Sequence, residues 1–275
     1  MSIGEKIGSG GLLLLGCGKM GGAMLRGWLA QGLAPDQVTV LDPYPAEWLT
    51  ALEADGLRLN VQPETAPAIA VIATKPQIMA EAIPGVSAYG NGPTVFISVA
   101  AGTLMATFEE MLGAQTPIVR VMPNTPAAIG AGISALVAND NVAQAQMDLA
   151  EELLGAVGDT VRLDREEQMH AVTALSGSGP AYVFALAEAM TAAGEKLGLP
   201  ADMAKKLALG TIAGSGRLML ETDIAPATLR EQVTSPNGTT YAGLQVLQRD
   251  PDGLQDLVDA TLKAASDRSE ELAKG

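Results

Sequence analysis

Residues 12–24 of the chain read LLLLGCGKMGGAM, and this stretch decides the fold of the first half. Leu12–Leu15 form a continuous apolar run, which is typical of a parallel strand covered on both faces. The next residues, Gly16–Gly21, have the spacing G-x-G-x-x-G and lead into a helical pattern that begins at Met20. A strand, this loop and a helix in succession predict a dinucleotide-binding unit, and an ordinary tight strand-to-helix turn is the alternative.

Each glycine of the motif has its own predicted role. The first permits the tight turn, the second lets the backbone approach a pyrophosphate, and the third lets the helix pack on the strand. The free N–H groups at the start of the helix then face the anion. Cys17 is expected to be a spacer, and Lys19 either contacts phosphate or is solvated. The predicted cofactor contacts of the loop are Gly16, Cys17, Gly18, Lys19, Met20 and Gly21.

Short apolar runs recur through the first half of the chain. The helical stretch Met20–Gln31 separates the first two runs, and strand, helix and strand in about 30 residues form a βαβ unit. Repetition of this unit predicts an α/β fold with an N-terminal Rossmann-type doubly wound parallel sheet. The predicted strands are Leu12–Leu15, Val38–Leu41, Ile69–Ala73, Thr94–Val99, Ile118–Met122, Ile133–Val137 and Thr160–Leu163.

After Leu163 the strand patterns stop and helical patterns fill the rest of the chain. This change predicts two domains: a dinucleotide-binding Rossmann domain over residues 1–164 and an all-α domain over residues 165–275. The predicted helices of the second half are Glu166–Leu175, Ala181–Leu197, Ala201–Leu220, Pro226–Gln232, Thr240–Gln248 and Leu254–Leu272.

Composition narrows the classes of partner. The 275 residues include 17 Lys and Arg against 31 Asp and Glu, a net charge of −14, which disfavours a nucleic-acid partner. No stretch approaches the ~20 apolar residues that a membrane span needs. One Cys and one His form neither an internal disulfide nor a structural zinc site, so we expect no metal. These features predict a cytoplasmic globular protein. We expect His170 to be a partly exposed helix residue and the pair Glu166-Glu167 to be solvated.

Further candidate site residues follow the predicted strands, because ligands of open α/β sheets bind outside the carboxyl ends of strands. Asp42 follows the second strand, where a carboxylate accepts hydrogen bonds from the ribose hydroxyls of NAD; the alternative is turn chemistry in Asp42-Pro43. The segments at the ends of the strands Ile69–Ala73, Thr94–Val99 and Ile118–Met122 are expected to line the nicotinamide. Ordinary strand-to-helix turns are the alternative. The candidate residues of these segments are Ala73, Lys75, Pro76, Ala100, Ala101, Gly102, Met122, Pro123 and Asn124.

Two segments of the helical half precede predicted helices with small and hydroxyl residues. They are SGSGPA, residues 176–181, and SPNGTT, residues 235–240. Backbone N–H groups and hydroxyls at a helix N-terminus form a carboxylate site without Lys or Arg. Ordinary capping is an equally good reading, with Ser178 as the cap of its helix.

The motifs taken together resemble those of pyrroline-5-carboxylate reductases. They are GCGKMGGAM at 16–24, ATKP at 73–76, SVAAG at 98–102, RVMPNTP at 120–126, ALSGSGPAY at 174–182 and VTSPNGTTYAGL at 233–244. The matches are in order and extend over nearly the whole chain. The two helical segments are specific to that family, whereas the glycine loop is not.

The resemblance implies the last step of proline biosynthesis, in which NADPH or NADH reduces the C=N bond of 1-pyrroline-5-carboxylate to give L-proline. It also implies that the helical domain binds substrate and forms a homodimer, with a decamer as a further assembly. Ser235, Gly238, Thr239 and Thr240 match the segment that holds the substrate carboxylate. Thr240 is the catalytic candidate, as a hydrogen-bond partner of the ring nitrogen or a helper in proton transfer.

Two points of the resemblance stay open. Relatives that prefer NADPH often carry a small or basic residue pair after the second strand, whereas this chain has Asp42-Pro43, so we expect NADH to be at least competitive. The alternative function is that of a β-hydroxyacid dehydrogenase or another imine reductase of similar architecture. Such enzymes usually carry a catalytic Lys or Asp early in the second domain, and residues 176–187 contain no Lys.

Overall fold

The computed structural model describes residues 3–274 and divides into two compact units. Within the described residues, the first unit consists of residues 3–177 together with residues 266–274, and the second of residues 178–265. Residues 1, 2 and 275, at the ends of the two predicted domains, lie outside the described residues.

The first unit is built on one eight-stranded sheet with the order β3-β2-β1-β4-β5-β6-β7-β8. The chain leaves β1 to one side for β2 and β3 and returns to the other side of β1 with β4, so the strand order reverses between β1 and β4. Such a reversal opens a crevice at the carboxyl ends of the strands. The strands are β1 (Leu12–Leu15), β2 (Val38–Leu41), β3 (Arg58–Leu59), β4 (Ile69–Ile72), β5 (Val95–Ser98), β6 (Ile118–Met122), β7 (Gly132–Ala138) and β8 (Gly158–Arg162).

Both faces of this sheet are covered, which explains the uninterrupted leucine run. Leu12 and Leu14 belong to one apolar cluster, whereas Leu13 and Leu15 belong to a second cluster. Successive side chains of a strand point to opposite faces, so four adjacent leucines supply two cores. The first cluster also contains Trp28, whose ring N–H donates to the carbonyl of Leu153 at 2.8 Å.

The fold class is confirmed, with one correction to the prediction of a parallel sheet. β6 and β7 pair antiparallel, and β8 then runs parallel to β7. The physical reason is the connection between β6 and β7, which holds only a short 3-10 turn, Thr125–Ile129. A parallel crossover needs a dozen or more residues and usually a helix, whereas a short connection returns the chain antiparallel.

Between residues 3 and 157 the structure has six α-helices, which are interspersed with the strands along the chain. The helix predicted over Met20–Gln31 is present within one residue at each end as α2, and the two-residue strand β3 has no sequence signal. These helices are α1 (Ile3–Ile7), α2 (Lys19–Ala30), α3 (Glu47–Ala51), α4 (Met79–Ala82), α5 (Met105–Leu112) and α6 (Gln144–Gly155).

The helix predicted over Glu166–Leu175 is instead a short α-helix followed by a π-helical segment, Thr173–Gly177. The remaining predicted helices are present, and Pro226–Gln232 agrees at both ends. Of the two readings left open for residues 176–181, side-chain capping by Ser178 is not observed: Ser178 is the N-cap residue of α8, but its φ and ψ lie in the α region and its side chain makes no capping hydrogen bond. The helices are α7 (Gln168–Val172), α8 (Gly179–Lys196), α9 (Ala201–Thr222), α10 (Pro226–Gln232), α11 (Thr239–Leu247) and α12 (Leu254–Ala273).

Candidate active site

The sheet brings the predicted cofactor segments of the first unit to one edge. β1, β2, β4, β5 and β6 are mutually parallel neighbours, so their carboxyl ends share that edge. The segments that follow these five strands contain every residue predicted to contact the cofactor. They are Gly16, Cys17, Gly18, Lys19, Met20 and Gly21 after β1, Asp42 after β2, Ala73, Lys75 and Pro76 after β4, Ala100, Ala101 and Gly102 after β5, and Met122, Pro123 and Asn124 at the end of β6.

The three motif glycines differ in their surroundings. Gly16 has φ +88°, a left-handed conformation that favours glycine, and its N–H donates to Leu41 O at 2.9 Å. A Cβ at Gly21 would overlap the carbonyl oxygen of Gly16, so this position brings helix α2 close to the strand end. A Cβ at Gly18 would meet no atom within 4 Å. Gly18 is also the N-cap of α2, so open space lies beside the start of a twelve-residue helix.

Asp42 is tied directly to the glycine loop. Its Oδ2 accepts the N–H of Cys17 at 2.6 Å, and its Oδ1 accepts the N–H of Tyr44 at 2.8 Å. The side chain of Asn60 fixes the Asp42 backbone at two points, accepting from its N–H and donating to its carbonyl, both at 2.9 Å. The Asp42 side chain therefore stabilises the turn, as the alternative reading expected. It can still accept hydrogen bonds from ribose hydroxyls, because an ionised carboxylate offers about four lone-pair sites.

Cys17 has the environment of a neutral spacer. Burial, followed by the nearby charge of Asp42, raises the pKa of its thiol to about 11, although Arg26 opposes the shift. The guanidinium of Arg26 lies over the Trp48 ring, 3.7 Å from the centroid. A thiol held neutral beside the loop adds no negative charge where an anion would bind.

The segment that follows β4 contains a buried polar atom. Ala73 packs against the glycine loop, with its N–H donating to Leu15 O at 2.8 Å. The hydroxyl oxygen of the next residue, Thr74, is buried and has no hydrogen-bond partner among the described residues, and its methyl group lies beside Gly16. An isolated Thr in a strand-to-helix corner carries no sequence signal that its hydroxyl will lack a partner.

The corners after β5 and β6 contact later parts of the first unit. Gly102 has φ +77° and faces Leu272 in the last turns of α12. Asn124 Oδ1 accepts the N–H of Ile133 at 3.0 Å, which leaves its amide nitrogen to donate to Ser176 Oγ at 3.4 Å. The structure thus brings Asn124 of the RVMPNTP segment to Ser176, the first residue of SGSGPA.

A buried ion pair supports the same corner. Arg120 in β6 is 2% exposed, and its Nη1 lies 2.6 Å from Glu166 Oε1, which also accepts the N–H of Met105 at 2.8 Å. The prediction that Glu166 belongs to a solvated acidic pair is therefore wrong. The physical reason is its partner, since a buried guanidinium requires a nearby carboxylate. His170 is half-buried, and its Nδ1 lies 2.9 Å from Ser269 Oγ.

The predicted substrate segment lies in the second unit, at the N-terminus of α11. Gly238 is the N-cap, and a Cβ there would overlap Ser235 Oγ. Ser235, Thr239 and Thr240 are exposed, and their hydroxyls make no hydrogen bond to any other residue between 3 and 274. This helix start therefore presents free N–H groups and free hydroxyls together, an arrangement suited to a carboxylate.

The first unit has room and donors for a dinucleotide. Open space lies beside Gly18, and no side chain caps the N-terminal N–H groups of α2, which supply the donors. Within residues 3–274, no group of three or more His, Cys, Asp or Glu side chains could hold a metal ion. No helix of the described part of the chain is both long and apolar enough to cross a membrane.

A Rossmann-type sheet with this loop at its strand-order reversal defines a dinucleotide-binding protein. Residues 166–272 match the family model for pyrroline-5-carboxylate reductase dimerisation, and residues 12–102 match that for NADP oxidoreductase, coenzyme F420-dependent. The pyrroline-5-carboxylate reductase of Pseudomonas aeruginosa is 41% identical, covering 96% of this chain and 97% of its own. That of Haemophilus influenzae is 37% identical, covering 95% and 97%. The chain belongs to the pyrroline-5-carboxylate reductase family.

Solved structures agree over nearly the full length. The pyrroline-5-carboxylate reductase of Coxiella burnetii has a TM-score of 0.88 at 33% identity, covering 96% of this chain and 98% of its own. A Plasmodium falciparum pyrroline carboxylate reductase, solved with NADP bound, has a TM-score of 0.80 at 28% identity with the same coverage.

Proposed function

We propose that this protein reduces 1-pyrroline-5-carboxylate to L-proline with NAD(P)H, the last step of proline biosynthesis. The observation that carries the proposal is the gathering of five strand-end segments around a glycine loop, in a chain 41% identical to a pyrroline-5-carboxylate reductase. When bound, NAD(P)H supplies the hydride that adds to the carbon of the C=N bond.

The first unit is proposed to bind the dinucleotide. The start of α2 offers backbone N–H groups to the pyrophosphate, and Gly18 leaves the space for it. The corners after β4, β5 and β6 are proposed to line the nicotinamide end. Asp42 is proposed to accept from ribose hydroxyls, and its negative charge disfavours a 2′-phosphate, so NADH is at least competitive with NADPH.

The second unit is proposed to bind the substrate carboxylate through Ser235, Gly238, Thr239 and Thr240. A cyclic imine is basic enough to be partly protonated near neutral pH, and the iminium carbon accepts hydride readily. Catalysis then rests mainly on orientation, which needs no paired carboxylates or nucleophile. We assign Thr240 as the residue that hydrogen-bonds the ring nitrogen, so that it holds the proton that remains there in proline.

A homodimer through the helical region is proposed, with a decamer as the larger assembly that the resemblance implies. In residues 178–265, the buried apolar residues are only Ala204 and Ala208, whereas Phe184, Leu220 and Val246 are more than half exposed. A helical unit with so little core of its own needs a partner surface. Light scattering on the purified protein distinguishes a monomer, a dimer and a decamer.

The decisive assay follows NADH and NADPH oxidation with 1-pyrroline-5-carboxylate and with its six-membered homologue. Turnover of the five-membered imine with formation of L-proline is expected. No turnover of either imine would overturn the proposal. Preference for the six-membered ring would keep the reaction class and correct the substrate.

A further inference from the structure

Glu166 stands out because one of its carboxylate oxygens holds two separate segments of the first unit. Its Oε1 lies 2.6 Å from Arg120 Nη1 and accepts the N–H of Met105 at 2.8 Å. Arg120 is 2% exposed, so its charge is almost entirely removed from water. A buried guanidinium needs a carboxylate partner, but one that contacted nothing else would serve it equally well. The second bond, to Met105, therefore needs an explanation of its own.

Both partners of Glu166 adjoin strand-end segments that are proposed to line the nicotinamide. Met105 is the first residue of α5 and lies three residues beyond the segment 100–102, which follows β5. Arg120 lies in β6, two residues before the segment 122–124. The two strands are parallel neighbours in the sheet. The carboxylate of Glu166 thus links the far end of one segment to the near end of the other.

The start of α5 depends on this link because it has no capping group of its own. Its N-cap residue is Leu104, which makes no capping hydrogen bond, and a carboxylate is favourable at a helix N-terminus. Glu166 is itself held in place, since its carbonyl accepts the N–H of Met169 at 2.9 Å. Met169 is fully buried in one apolar cluster with Met122, and Met105 packs against that cluster. The polar link is therefore backed by packing between the same segments.

We propose that Glu166 is a positioning residue for hydride transfer, which acts by fixing the segments that follow β5 and β6. This rests on the proposed function, in which those segments orient the nicotinamide. Glu166 acts through Arg120 and Met105 and supplies no group to the reaction. The rate of a reaction between bound groups depends steeply on their alignment, so a small displacement of these segments costs more in rate than in binding. The pyrophosphate end of the dinucleotide is served by α2 and does not depend on Glu166.

The test removes the link without leaving a buried charge unpaired. Glu166→Ala alone would strand the Arg120 guanidinium, which strongly destabilises the fold. The double variant Arg120→Met with Glu166→Met replaces both groups by apolar side chains, so the Tm should stay near that of the original protein. We expect its kcat to fall about 30-fold and its Kd for NADH to rise about 5–10-fold. The Kd for ADP-ribose, which has no nicotinamide, should stay within about twofold.

Two single variants separate position from charge and from stability. Glu166→Gln keeps an oxygen that can accept the same two hydrogen bonds, so its kcat and its two Kd values should stay within about threefold of the original. Arg120→Met keeps the bond to Met105 and leaves a carboxylate that is 22% exposed and so remains hydrated. This variant avoids a buried unpaired charge, and its Kd for NADH should rise about threefold.

The matched control is Arg162→Met with Glu151→Met, which removes an ion pair of the same unit that joins β8 to α6. It should leave kcat and both Kd values unchanged. An unchanged kcat and Kd for NADH in the variants that cut the link would overturn the proposal, as would equal rises in the Kd for NADH and for ADP-ribose. If the original protein binds NADH but reduces neither imine, the proposed function fails, while the ratio of the two Kd values still decides the role of Glu166.

Discussion

The N-termini of α2 and α11 are two candidate anion sites that are built differently. Both helices begin after a glycine at the N-cap position, Gly18 and Gly238. At α2 the surroundings are packed: Gly21 lies against the Gly16 carbonyl, and Asp42 accepts the N–H of Cys17. At α11 the hydroxyl groups are exposed and without partners in the described chain.

The difference indicates how each site achieves its selectivity. The α2 site depends on shape, because its donors are backbone groups held by close packing, so added volume should damage it most. The α11 site depends on side-chain hydroxyls, so loss of an oxygen should damage it most. Both sites use local donors, which matters in a chain whose net charge of −14 repels anions at long range.

The largest effect is expected from added volume at Gly21. In Gly21→Ala the new methyl group overlaps the Gly16 carbonyl, so the loop must move away from α2. We expect the Kd for NADH and NADPH to rise about 100-fold, which corresponds to about 2.7 kcal/mol. Gly22→Ala is the control, because its Cβ would meet Trp48 and Cys17 only at 3.4–3.5 Å, an ordinary contact. Equal Kd values for the two variants would refute a shape-dependent site.

The packing behind that prediction could be read largely from sequence. The leucine run, the glycine spacing and the strand-end positions require only local pattern, and the structure gathers all of these positions at one edge. The direction of β7 was not predictable from its apolar residues, because an apolar run indicates that a strand is buried but not whether it runs parallel or antiparallel to its neighbour. The two residues of β3 are too short to carry a period.

Contacts between distant residues were also beyond the sequence. Glu166 pairs with Arg120 across 46 residues, and its neighbour Glu167 made it look like part of a solvated face. Asn60 and Asp42 lie 18 residues apart, and neither alone signals a hydrogen bond to the other. A single sequence shows which residues are polar, whereas the fold decides which of them meet.

The second prediction removes an oxygen from the α11 site. Thr240→Ala is expected to lower kcat/KM for 1-pyrroline-5-carboxylate about 30-fold, because a hydrogen bond to a charged group contributes about 1.5–3 kcal/mol. Thr240→Ser should recover most of the loss. The Kd for NADH should stay unchanged, which separates the two sites.

Thr222→Ala is a suitable control for that measurement. Its hydroxyl donates to Leu218 O within the exposed helix α9, so its loss should change kcat/KM less than about twofold. An unchanged kcat/KM in Thr240→Ala would remove Thr240 from the mechanism and shift the role to other groups of the segment.

The third prediction changes charge at the α2 site without changing volume. Asp42→Asn removes the negative charge that disfavours a 2′-phosphate and one acceptor for ribose hydroxyls. The ratio of kcat/KM for NADH to that for NADPH is expected to fall about tenfold, or about 1.4 kcal/mol. Asp55→Asn, an exposed residue with the same change in net charge, should leave the ratio alone. A strong NADPH preference in the unaltered protein would contradict this assignment of Asp42.

The smallest effect is expected at Cys17, although it lies inside the loop. Its backbone N–H, rather than its side chain, binds Asp42, and burial raises the pKa of the thiol from 9.0 to about 11. The thiol is therefore protonated throughout pH 6–9. Its ionisation lowers the free energy of unfolding only as the pH rises from 9 towards 11, because in that range the thiol ionises in the unfolded chain but not yet in the folded one. Cys17→Ser should change the Kd for NADH less than about twofold, and the Kd–pH curves of the two proteins should run parallel over pH 6–9. Divergence of the curves below pH 9 would mean that a thiolate forms beside the pyrophosphate site, so that charge and not shape alone controls binding at α2.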